Sequence, residues 1–351
     1  MNNRAILIYG VSGYTAQLIV ERAALDGMRP ILAGRSEANT KTIAEQYKLP
    51  MRVFGLDDPS EVERNLKDVS VVLNCAGPFS RTAMAMAQAC IKTDVHYLDI
   101  TGEIDVFESL SKLSKAAAPK VMLMPGTGFD VVPSDCLAAH LKRMLPDATS
   151  LTLAFQAIGA PSHGTATTMV ENLHRGGMIR RNGELTPVPS AWETRNIDFG
   201  LGPVPAVAIP WGDVATAWVS TGIPNIDVFM SAPAPLRMTV VASRYFGGLM
   251  ATGFMQKLLK QQIDKAPAGP NEKQRREGTS HLWGRVHNAR GMVATARLDT
   301  FEGYSLTAQT AWDIAKRTAK GEGRPGFQTP SMVFGADYIL NFPNTTRTDL
   351  Q

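Results

Sequence analysis

Two nearly unbroken apolar runs, Ala5–Tyr9 (AILIY) and Val69–Cys75 (VSVVLNC), stand out along the first third of the chain. Runs of this kind suit strands covered on both faces. The period changes between them. Tyr14–Leu25 places Leu18, Ile19 and Leu25 at helical spacing and stops at Asp26-Gly27. Pro30–Ala33 and Met51–Phe54 read as strands, and Ala38–Tyr47 and Pro59–Leu66 as helices, the latter with Val62 and Leu66 on one side. The alternation continues through helix Thr82–Ile91, strand Val95–Leu98, helix Ile104–Ala116 and strand Val121–Met124. Six short strands separated by helices predict an α/β fold, a Rossmann-type doubly wound parallel sheet.

The pattern shifts after Pro125. A helix over Val132–Leu145 leads into runs of strand character at Leu151–Phe155 and Val228–Ala232, with Pro and Gly frequent between 187 and 224. The polar stretch Ala266–Gly278 reads as a surface loop. Leu282–Thr300 reads as a hairpin turning at Asn288-Ala289-Arg290-Gly291. Ser305–Ala319 is an amphipathic helix with Ala311, Ile314 and Ala315 inward. The expected organisation is residues 1–130 as a first domain and 131–320 as an α+β domain, with the tail 321–351 folding back on the first. At 351 residues, two domains is also the natural expectation from length.

Composition narrows the function classes. The net charge of +4 is spread thinly, with no Lys/Arg stripe of the kind that binds nucleic acid. The start, MNNRAILIYG, reads as a first strand and not as a signal peptide. Cys75, Cys90 and Cys136 are few, odd in number and set among apolar neighbours, so buried thiols and a cytoplasmic location are expected. Tyr245–Met255 is the longest apolar stretch. It reads as a buried or interface helix, with membrane-surface contact as the alternative.

Candidate chemistry begins at the first strand–helix turn. Gly10, Gly13 and Ala16 stand three apart there. Glycine tolerates the tight turn, lets backbone approach a pyrophosphate, and leaves the helix's first amides facing the anion. Ser12, Tyr14 and Thr15 complete the candidate cradle, with Ser12 and Thr15 offering hydroxyls. A turn that holds no ligand is the alternative. The second strand ends in Ala33-Gly34-Arg35-Ser36, which has no carboxylate to accept a ribose 2′-hydroxyl. The guanidinium of Arg35 and the hydroxyl of Ser36 suit a 2′-phosphate, which favours NADP over NAD or FAD. The fourth strand runs into Ala76, Gly77, Pro78 and Phe79, small and shaped residues beside which a nicotinamide would lie.

The fifth and sixth strands end in YLDITGE (97–103) and PGTGFD (125–130). Tyr97 and Asp130 are candidate catalytic residues, and His163, in the loop PSHGT, is a third. The alternatives are plain: Asp99 and Glu103 cap the following helix, Asp130, Ser134 and Asp135 cap the helix near Pro133, and His163 is an exposed loop histidine. None of the seven tyrosines has a lysine four residues on, which argues against short-chain dehydrogenase chemistry. No cluster has zinc spacing, Glu171 and His174 being a lone pair, and no Gly-x-Ser-x-Gly elbow occurs.

The stretches YGVSGYTAQL, LAGRS, VVLNCAGPFS, HYLDITGE and PGTGFDVVPSD, in that order, resemble the saccharopine dehydrogenase-like family. The likeness is to its shorter branch, which includes trans-acting enoyl reductases, and GPNEKQRREG, HLWGRVHNARG and GYSLTAQTAW extend it over most of the chain. The resemblance implies an NADP-binding Rossmann domain, a following α+β domain, a homodimer and a reductase or dehydrogenase activity. No arginine set for the several carboxylates of saccharopine stands out, which makes lysine metabolism the weaker choice. The expectation is hydride transfer from NADPH to a polarised C=C, or C=N or C=O, of a small and hydrophobic substrate. The alternative is an NADP-binding sensor or partner-binding protein with little catalysis.

Overall fold

The computed structural model describes residues 5–117, 119–157, 161–172, 176–231, 234, 237–238, 240–241, 244 and 252–350. The chain divides into two units, Met1–Val132 with Tyr304–Val333, and Pro133–Gly303 with Phe334–Gln351.

The first unit is built on strands β1 (Ala5–Tyr9), β2 (Ile31–Gly34), β3 (Met51–Val53), β4 (Val69–Asn74), β5 (His96–Asp99) and β6 (Met122–Met124). Helices α1 (Tyr14–Leu25), α2 (Glu37–Tyr47), α3 (Pro59–Leu66), α4 (Phe79–Lys92), α5 (Ile104–Ser111) and α6 (Ser114–Ala117) connect them. The strands pair in parallel in the order β3-β2-β1-β4-β5-β6, and Gly326–Phe327 adds a short strand beyond β6. This is the doubly wound arrangement expected from the alternation. The order reverses between β1 and β4, where Tyr9 stands opposite Asn74. Leu7, Ile8, Leu32, Val71, Val72 and Leu73 are fully buried, as unbroken apolar strands require. Helix starts follow local chemistry. Ser36 accepts from Asn39 N to cap α2, and Asp58 accepts from Ser60 N to cap α3, with Pro59 in the first turn.

Helix Gly303–Arg317, expected in the second domain, packs from Tyr304 onward with the first unit. Its buried face carries Leu306, Ala311, Trp312, Ile314 and Ala315. The Trp312 indole N–H and the Lys316 ammonium donate to Asp26 at the end of α1, and Thr310 Oγ1 donates to Thr127 O at 2.8 Å. Burial of Trp312 alone contributes about 2–3 kcal/mol. The tail divides as well: Gly326–Phe327 joins the parallel sheet, while Thr346–Leu350 pairs in the sheet of the second unit.

In the second unit, β7 (Ser150–Ala157), β8 (Gly177–Arg181), β9 (Glu184–Val188), β10 (Thr194–Asp198), β11 (Pro203–Ala208), β12 (Asn225–Ser231), β13 (Thr279–His287) and β14 (Val293–Phe301) form a mixed sheet with Thr346–Leu350. Helix α7 (Val132–Met144) packs on one face, and a Cβ added at Gly284 would lie 2.6 Å from Leu141. From α7, His140 bonds Asp349 at 2.6 Å and Arg143 grips Asp337, which Arg347 also holds. The Pro/Gly-rich region holds the β10–β11 hairpin. Pro203 and Pro205 fall where β11 pairs with β10 alone, before its pairing with β12 begins at Ala206. The β13–β14 hairpin turns as expected, with Gly291 at φ 80. The polar stretch 266–278 is not all loop. Asn271 and Gln274 form a reciprocal capping box that starts a short helix over Glu272–Glu277. All three cysteines are free and buried. Among the described residues no helix is long and apolar enough to cross a membrane. Residues 245–251 of the apolar stretch Tyr245–Met255 lie outside the described residues, as does His174.

Candidate dinucleotide site

All strands of the first sheet point the same way, so their carboxyl ends gather on one edge. At that edge β1 turns sharply at Gly10, whose φ is +85. The amides of Gly10 and Val11 both donate to Ala33 O, and Gly13 N closes the turn on Gly10 O at 3.1 Å. A Cβ at Gly10 would sit 2.7 Å from the backbone nitrogen of Ala76, so only glycine lets the β1–α1 and β4–α4 turns meet. Gly13 plays a different part. Its φ of −71 is ordinary, it is exposed, and it stands at the N-cap of α1 without a side-chain acceptor. Ser12 is exposed beside it, Thr15 is half-buried, and the ring of Tyr14 meets Tyr304 edge-on at 5.3 Å.

Arg35 follows β2 and is exposed, with no ion pair or hydrogen bond among the described residues. Ser36 caps α2 through a long contact of 3.5 Å, which leaves its hydroxyl weakly engaged. Past β4, Gly77 is exposed and Ala76, Pro78 and Phe79 are half-buried. Asn74 holds Ala76 by accepting from its N–H, and Thr82 Oγ1 donates to Ala76 O at 2.6 Å.

A buried chain of hydrogen bonds runs behind this wall. Asn74 Nδ2 donates to Thr82 Oγ1 and to the Tyr97 hydroxyl, which donates to Asp99 Oδ2 at 2.7 Å. Asp99 Oδ1 accepts from Thr101 N and Gly126 N, each at 2.9 Å, and its backbone oxygen takes Thr127 N and Oγ1. Burial pushes the Asp99 carboxyl up to about 6 against the pull of these donors, and drives the Tyr97 phenol well above its ordinary value. Tyr97 is one of the candidate proton donors or orienters. It is fully buried and its hydroxyl serves Asp99, so it acts as a strut between β4 and β5.

Asp130 lies beyond β6, half-buried, with a carboxyl that burial pushes up to about 7. A Cβ at Gly102 would fall 2.7 Å from Asp130 Oδ2, so glycine at 102 leaves room for that carboxyl. Ser134, for which helix capping is the alternative reading, donates to Asp213 at 2.6 Å in the second unit. His163, also in the second unit, starts helix α8 (His163–Asn172) and donates from Nε2 to Ala266 O at 2.7 Å. The role of Glu103 is not legible in the sequence. Its carboxylate accepts from Phe79 N at 2.8 Å and Ser80 N at 3.1 Å, so it caps α4 and not the helix that follows it. No local spacing signals a cap 24 residues away.

A glycine turn that backbone alone can fill, an exposed helix start without its own acceptor, and an unpaired arginine at an acid-free strand end together suit a dinucleotide carrying a 2′-phosphate. The first unit is therefore of the NADP-binding Rossmann class. Comparison with known sequences makes it particular: residues 6–124 match the saccharopine dehydrogenase NADP binding domain family, and its cofactor is NADP. The chain is 31% identical over 154 residues to a trans-acting enoyl reductase of Mycobacterium leprae, a match over 41% of this chain and 37% of that protein. It is 24% identical over 180 residues to a saccharopine dehydrogenase-like oxidoreductase of Homo sapiens, over 45% of this chain and 42% of that protein. These matches thus span about two fifths of those relatives. In fold, the chain is similar to an apo saccharopine dehydrogenase (L-Glu forming) from Saccharomyces cerevisiae, with a TM-score of 0.64 and 12% identity over 99% of this chain and 100% of that one.

Proposed function

We propose that this protein is an NADP-dependent oxidoreductase that delivers hydride to a polarised C=C, or to C=N or C=O, of a hydrophobic substrate. The observation that carries the reading is the NADP-binding match over 6–124 laid on an open α1 terminus and the unpaired Arg35. When bound, NADPH supplies the hydride. The chain supplies the rest. The Gly10–Thr15 turn receives the pyrophosphate, and Arg35 with Ser36 receives the 2′-phosphate. Ala76–Phe79 walls the nicotinamide, and Asp130 holds a proton near neutral pH for the carbon or heteroatom that gains electrons. Names of two relatives, an enoyl reductase and a saccharopine dehydrogenase-like oxidoreductase, support a reductive reaction.

The test is loss of NADPH absorbance with a panel of long-chain enones, imines and ketones. Turnover with any of them supports the reading and names the substrate class. Saturable NADPH binding without turnover across the panel replaces it with an NADP-binding sensor.

A further inference from the structure

Two long helices begin on the carboxyl edge at either side of the strand-order reversal, α1 after β1 and α4 after β4. Each helix start carries the positive end of its dipole and first-turn amides with no partner inside the helix, so each is suited to an anion. Their N-caps are alike in bringing no side-chain acceptor: Gly13 for α1 and Pro78 for α4. They differ in what lies in front of them. At α4 the two carboxylate oxygens of Glu103 take Phe79 N at 2.8 Å and Ser80 N at 3.1 Å. Glu103 is itself fixed, because its own N–H donates to Thr101 Oγ1 at 3.0 Å and Thr101 N donates to the buried Asp99. The α4 terminus therefore carries a built-in anion, anchored to the neighbouring turn.

We propose that Glu103 is a positioning and specificity-determining residue of the dinucleotide site. It clamps the Gly77–Phe79 wall and closes the α4 terminus to phosphate, so the cofactor's phosphates are accepted at α1 alone and its nicotinamide lies at α4. The proposal rests on NADP binding at the Gly10–Thr15 turn. A dinucleotide laid the other way would bring its pyrophosphate against the Glu103 carboxylate and meet like charge. Removing the carboxylate frees two amides, while Asn74 and Thr82 still hold the preceding residue, Ala76.

The test uses the full chain as wild type, Glu103→Gln and Glu103→Ala. Two probes are titrated: NADPH, followed by its own nicotinamide fluorescence, and 2′,5′-ADP, which carries the adenosine end only. Glu103→Ala is expected to weaken NADPH about tenfold, from the loss of two charge-assisted hydrogen bonds, and to abolish the fluorescence change of the bound nicotinamide. Affinity for 2′,5′-ADP should stay within about twofold, because that half never reaches α4. Glu103→Gln, which keeps one acceptor, should fall between. Wild-type NADPH affinity and fluorescence in Glu103→Ala overturn the proposal. Equal weakening of both probes in both variants also overturns it, by showing general damage to the fold. A wild-type protein that binds neither probe overturns the NADP reading instead.

Discussion

The hydroxyl of Tyr97 donates to Oδ2 of Asp99 at 2.7 Å, and both side chains are fully buried. The pair sits two residues apart on β5, and it joins the wall behind Ala76 to the β6 turn at Gly126. Tyr97→Phe removes one donor from a buried carboxylate and one of the two acceptors of the Asn74 amide, which keeps Thr82. The expected cost is about 1–3 kcal/mol in urea unfolding. Asp99 has a folded value of about 6, above its ordinary 3.8, so its contribution to stability is present below about pH 4 and lost as pH rises through 6. With a donor gone, its folded value climbs further. The deficit of Tyr97→Phe should therefore be larger at pH 8 than at pH 5, and an equal deficit at both would contradict the assignment.

Asp130 gives a second pH signature. Its carboxyl titrates near 7 in the fold against 3.8 ordinarily, so ionisation is disfavoured in the native state. The stability this proton confers is full below about pH 4 and lost as pH rises through 7. Between pH 5 and 8 most of that contribution is lost. Asp130→Asn mimics the protonated form and should remove that dependence. Thermal melting across this range checks it: the variant's curve should be flatter and should gain on wild type at pH 8. The same variant should lower turnover once a substrate is found, and leave NADPH affinity within about twofold.

Gly10 and Gly13 serve different needs, and alanine separates them. At Gly10, a positive φ and a Cβ 2.7 Å from Ala76 N make Gly10→Ala destabilising by about 1–3 kcal/mol, and NADPH binding should fall with it. At Gly13 the backbone is ordinary and the nearest atom to an added Cβ is 3.5 Å away. Gly13→Ala should leave stability within about 0.5 kcal/mol and still weaken NADPH, because a methyl group would stand where the pyrophosphate approaches. Unaltered NADPH affinity in Gly13→Ala would remove this turn from the cradle.

Substitution of Arg35 tests the choice between cofactors. Arg35→Asp places a carboxylate where a 2′-phosphate would lie. NADPH affinity should fall tenfold or more, by loss of charge-assisted hydrogen bonds and gain of like charge, roughly 1.5–3 kcal/mol. NADH affinity should hold or improve. Parallel fluorescence titrations with the two cofactors make the comparison, and an unchanged NADPH-to-NADH ratio would free Arg35 from the role.

The sequence by itself determined the first unit's sheet and the glycine turn at its first strand–helix junction. Unbroken apolar runs fix strands buried on both faces, glycines three apart fix a turn, and the acid-free AGRS stretch leaves no carboxylate at the end of the second strand. These signals are local, carried by neighbours within a dozen residues. Tertiary structure alone decided the rest. Helix Gly303–Arg317 joins the first unit because Trp312 and Thr310 find Asp26 and Thr127, partners more than 180 residues away. Tyr97, polar and beside candidate acids, became a buried strut because its strand lies in the middle of the sheet between β4 and β6. Glu103 became the cap of an earlier helix because two parallel strands bring their carboxyl-end turns side by side. Which donor meets which acceptor across that edge depends on strand order, and strand order is not written in any single stretch of residues.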